Sequence, residues 1–80
     1  MKAMTCRQLG GACDMVFKAH NFEEIAEISK EHGTEMFRKG DEAHLKAMNA
    51  MRELMKTPQE MNNWFENKRK EFEAQPDIDV

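Results

Sequence analysis

Eighty residues carrying 12 basic and 15 acidic side chains make one small domain, near the lower size at which a chain folds without a staple. Such a chain buries only about 60% of its unfolded surface, which excludes a deep cleft between domains. A bound metal or a second subunit would add materially to its stability. The net charge of −3 arises in residues 41–80, where Lys68-Arg69-Lys70 is flanked by Glu66, Glu71 and Glu73. That pattern is a solvated, ion-paired helix face, so no nucleic acid is expected as partner.

The first ten residues lack the apolar core of a signal peptide, and no run has the length of a membrane span. The expectation is therefore a cytoplasmic protein with no membrane partner, in a compartment that keeps Cys6 and Cys13 reduced.

The chain opens with a predicted β-hairpin over residues 2–19. Residues 2–6 form its first strand, with Met4 and Cys6 facing one way. Residues 12–19 form the second, with Cys13, Met15, Phe17 and Ala19 alternating onto one face. Gly10-Gly11 supplies the positive φ of a tight turn. The turn centres either on Leu9-Gly10, which sets Cys6 opposite Cys13, or on Gly10-Gly11. Both registers leave the two sulfurs on one face.

Three helices follow. Asn21 is the N-cap of a helix over about 22–39, with Glu24 placed for a capping box. Ile25, Ile28, Ser29, His32 and Met36 follow the 3.6-residue period and form its inner stripe. Gly40 ends it. Asp41 caps a second helix over about 42–56, with His44, Ala47, Met48, Met51, Leu54 and Met55 as its stripe. Thr57-Pro58, closed by Glu60, starts a third over about 58–74 that carries Met61, Trp64, Phe65 and Phe72. Lys68 interrupts that stripe and lays its stem over it. Residues 75–80 form a frayed tail opened by Pro76. The fold class is α+β: a hairpin packed on a bundle of three helices.

Cys6, Cys13 and His32 form the main constellation. A hairpin brings facing Cβ atoms to about 5 Å, close enough for two thiolates to share one zinc ion. Because the apolar faces of the hairpin and the first helix must share one core, His32 turns toward the sulfurs. The fourth donor is His44, another side chain, water or a second subunit. Six residues between the cysteines is a wider gap than that of a zinc knuckle, and two buried thiols also pack as small apolar groups. His20, on the opposite parity of the hairpin, is the weakest of the three imidazoles as a ligand.

The run TCRQLGGACD followed by FEEIAEISKEH resembles the small proteins catalogued as domain of unknown function 1059, over roughly residues 3–39. Cys6, Leu9-Gly10, Cys13-Asp14, Glu23-Glu24 and His32 carry the resemblance. Met36 and Phe37 occupy the region where many members have a second histidine, which leaves His44 as the substitute. The resemblance implies metal binding, with zinc first, and implies no reaction.

No nucleophile elbow and no phosphate loop is present. The reading is a small non-enzymatic metal-binding protein with Cys6, Cys13, His32 and His44 as ligands. The alternative is a Met-rich helical interaction module with structural or redox-sensitive cysteines. Met48, Met51, Met55, Trp64 and Phe65 would then meet a protein partner or a second copy, giving a homo-oligomer.

Overall fold

Two four-residue strands, β1 (Lys2–Thr5) and β2 (Val16–Ala19), pair antiparallel with Met4 opposite Phe17 and Thr5 opposite Val16 in a computed structural model that describes residues 1–78. Helices α1 (Phe22–Lys39), α2 (Glu42–Leu54) and α3 (Pro58–Glu73) follow, giving the expected α+β arrangement. Among the described residues, no helix is long and apolar enough to cross a membrane.

The strand register centres the turn on Gly10-Gly11, so Cys6 lies opposite Met15 rather than Cys13. The Cys6 N–H still donates to the Met15 carbonyl at 2.8 Å. The backbone then leaves the ladder, because Cys6 is in the helical region (φ −52°, ψ −45°) and begins a 3-10 turn over Arg7–Leu9. The Cys6 carbonyl accepts from the N–H groups of Leu9 and Gly11, and Gly10 takes a φ of +94° to end the turn. Residues 12–15 therefore form a loop and not the start of the second strand, and Met15 points out at 54% exposure instead of sharing the face of Phe17.

The helix starts follow their local chemistry. Asn21 Oδ1 accepts from the Glu24 N–H at 2.8 Å, and Thr57 Oγ1 accepts from the Glu60 N–H at 3.1 Å with Pro58 in the first turn. Gly40, at φ +69°, closes α1 with its N–H on the last carbonyls. The α2 helix stops at Leu54, two residues short of the expected end.

The core lies between the hairpin and the start of α1, where Met4, Phe17, Ala19 and Ile25 are almost wholly buried. Burying a side chain such as Ile25 contributes about 1.5–3 kcal/mol. The α3 helix closes this core through Phe72, whose ring meets Phe22 edge-on at 6.2 Å. Arg69 adds an ion pair to Glu23 at 2.7 Å and lies over the Phe22 ring.

Several apolar positions expected inside are exposed: Leu54 at 59%, Met61 at 43% and Phe65 at 39%. The 3.6-residue period assigns each of them to a helix face, but no neighbouring element covers these three side chains fully. The Lys68 side chain is largely covered, with its ammonium 5.7 Å from the Trp64 ring, as a stem laid over the stripe requires. The tail is tied down at Ile78, whose N–H donates to the Met1 carbonyl at 2.8 Å, in place of the expected fraying. Asp79 and Val80, also assigned to the tail, lie outside the described residues.

Candidate metal centre

Four side chains converge where the loop between the strands meets α1 and α2. One ligand atom from each of Cys6, Cys13, His32 and His44 lies within 4.8 Å of all the others. Cys6, His32 and His44 are buried and Cys13 is half-buried. Both cysteines are free thiols.

Each donor is held by its own local structure. Cys6 sits at the start of the 3-10 turn, with the loop folded back over its sulfur. Gly11 makes that closeness possible: a Cβ there would stand 2.1 Å from Cys6 Sγ. Cys13 comes from the returning limb, whose carbonyl accepts from the Arg7 N–H at 2.9 Å. An exposed Arg7–Asp14 ion pair at 3.0 Å braces the same loop. His32 projects from the inner stripe of α1, with its ring edge-on to Phe17 at 5.4 Å. His44 lies in the first turn of α2 and meets His32 edge-on at 5.2 Å.

The contacts pair each sulfur with one imidazole. His44 Nε2 is 3.6 Å from Cys6 Sγ, and His32 Nε2 is 3.4 Å from Cys13 Sγ. The Asp41 carboxylate accepts the His44 Nδ1–H at 2.5 Å, which leaves the Nε2 lone pair facing the sulfurs. A carboxylate behind a histidine is the usual outer support of a metal-binding imidazole.

Ionisation follows from these surroundings. Burial pushes the Cys6 thiol up, against the pull of backbone N–H groups at Cys13 and Ala12. Cys13 is held below the usual thiol range, first by the Met15 backbone N–H and then by His44 and Cys6. Asp41 raises His44, and His44 in turn lowers Asp41. The two thiols thus differ in environment although they share one site.

A tetrahedral zinc ion with ordinary bond lengths sets a sulfur and a nitrogen ligand about 3.6 Å apart. The observed S···N separations of 3.6 and 3.4 Å match that spacing. Two thiolates and two imidazoles are also a donor set that suits zinc chemically. All four expected ligands are brought together, including His44. His20 is exposed, bonded to Glu24, and stands apart.

Two supporting residues escaped the sequence reading. Asp41 is visible there as an N-cap, but its second role depends on a histidine three residues on, a spacing that signals it. Gly11 is visible as a turn residue, whereas its actual task is to admit a sulfur. The expected partner-binding residues Met48, Met51, Met55, Trp64 and Phe65 line one apolar cavity beside the cluster. Comparison with family models, with curated proteins and with solved structures finds no match to this chain.

Proposed function

We propose that this is a small, non-enzymatic zinc-binding protein of the cytoplasm, with Cys6, Cys13, His32 and His44 as its four ligands. The observation that carries the reading is the convergence of all four donors within 4.8 Å in a largely buried setting. Four protein donors fill a tetrahedral shell, which supports a closed site that holds metal over one that activates water. The carboxylate behind His44 supports the same reading, since it fixes the tautomer a metal requires. A reducing compartment would keep both thiols available. The resemblance to domain of unknown function 1059 points the same way, and we propose kinship with those proteins on the shared Cys6, Cys13-Asp14 and His32 pattern.

Native mass spectrometry of the purified protein tests this directly. One zinc ion per chain is expected in the wild type and none in Cys6→Ser. A wild type that carries no metal, and takes up none when zinc is supplied, overturns the reading.

A further inference from the structure

The helices leave a recess beside the metal centre that the zinc reading does not use. Its volume is about 370 Å³, within the range typical of small-molecule sites. Helix α1 contributes Phe22, Ala26, Ser29 and Gly33 to one wall. Helix α2 contributes Ala47, Met48, Met51 and Met55 to the other, and Trp64 and Phe65 of α3 close the end. Buried Cys6 and His44 form part of its lining. Gly33 leaves the α1 wall bare: a Cβ there would meet only Met48 Cε, at 3.7 Å.

We propose that this recess binds a small, uncharged, mainly apolar molecule about the size of an eight- to ten-carbon chain. Three observations select that occupant. The lining is aliphatic, thioether and aromatic, and unbranched methionines adjust to a guest at little cost. Glu27 and Lys30 also line it, one helical turn apart, and neither makes an ion pair among the described residues. Their opposite charges cancel there, so no net charge is selected in the guest. A second copy of the chain is the poorer fit. A stable interface needs about 800 Å² from each partner, and of the exposed large apolar residues among those described only Phe65 lines the recess, too little to extend it into such a face.

The site shares Cys6, His32 and His44 with the metal centre, but the proposal stands whether or not zinc binds. The test uses the full chain, with and without added zinc, titrated with the neutral fluorescent probe N-phenyl-1-naphthylamine. The expected result is a saturable rise in probe emission at one probe per chain, with quenching of Trp64. 1-Octanol should displace the probe, and octanoate or octylammonium should do so at least about tenfold less well. Ala47→Phe and Ala26→Leu fill the recess from opposite walls, and each should weaken probe binding about tenfold while circular dichroism shows the helices intact. Should one variant fail to fold, the other supplies the comparison. Absence of saturation, one probe per two chains, equal displacement by a charged octyl compound, or unchanged affinity in a folded filled variant overturns the proposal. Metal content measured on the same samples separates its failure from failure of the zinc reading.

Discussion

Asp41 and His44 are joined twice through a single oxygen: Asp41 Oδ2 accepts from the His44 backbone N–H at 3.0 Å and from its ring Nδ1–H at 2.5 Å. The first bond caps α2, and the second aims the imidazole at Cys6. Local helix chemistry and site chemistry are thus carried by one carboxylate. Substitution separates them. Asp41→Ser keeps a capping hydroxyl but loses the ring partner, so stability should change by a few tenths of a kcal/mol while zinc affinity falls about 10- to 100-fold. Asp41→Ala removes both and should cost a further ~1 kcal/mol of metal-free stability. Equal zinc affinity in wild type and Asp41→Ser, measured by competition with a chromophoric chelator, would refute the orienting role.

The glycines beside the site have opposite expected behaviour. A Cβ on Gly11 would collide with Cys6 Sγ at 2.1 Å and press on the Cys6 carbonyl at 3.0 Å. Gly11→Ala must therefore shift the loop and should abolish zinc binding even where the helices persist. Gly33, inside α1, has only an ordinary contact for its Cβ at 3.7 Å. Gly33→Ala should raise stability by about 0.5–1 kcal/mol through helix propensity. Urea denaturation compares the two, and a stabilised Gly11→Ala that still binds zinc would contradict the loop geometry.

The parts of the molecule that were legible in the sequence are those set by near neighbours in the chain. Asn21, Asp41 and Thr57 announce helix starts because a cap needs only a side-chain oxygen and an N–H two or three residues on. The 3.6-residue stripe put His32 and His44 on inner faces, where they are found. The loop from Cys6 to Met15 was not legible. Alternation of Cys13, Met15, Phe17 and Ala19 mimics a strand, while the decisive event is the helical backbone of Cys6, which takes the chain off the ladder. Exposure of Leu54, Met61 and Phe65 was hidden for another reason: periodicity defines a face, but only helix crossing decides what covers it.

The Glu23–Arg69 pair links the first turn of α1 to α3 at 2.7 Å and gives a pH signature away from the site. Arg69 holds the Glu23 carboxyl below its ordinary value of 4.5. A carboxylate depressed in the folded state stabilises at pH above its unfolded value, and that contribution is lost as pH falls through the folded value. Glu23→Gln should therefore lower Tm slightly at neutral pH and not at all below the folded Glu23 pKa. Because the pair is exposed, high salt should shrink the difference at neutral pH. A difference that persists unchanged into strong acid would assign the effect to something other than this ion pair.

The sharpest expectation concerns zinc and folding together. The ligands belong to the loop, α1 and α2, so in an unfolded chain they are far apart and a metal that needs all four binds only the folded state. Zinc at about 100 times its dissociation constant then adds about 2.7 kcal/mol to unfolding. For a domain of this size each kcal/mol moves Tm by about 4–8 °C, so a rise of at least about 10 °C is expected, reversed by a chelator. Coordination requires both thiols as thiolates, so titration in weak buffer near neutral pH should release protons. Cys6→Ser and Cys13→Ser should lose the Tm rise and most of the proton release together. His32→Ala and His44→Ala should keep part of each, since two thiolates and one imidazole remain as donors. If the cysteine variants gain as much stability from zinc as the wild type, the metal binds elsewhere and the four-residue centre is not its site.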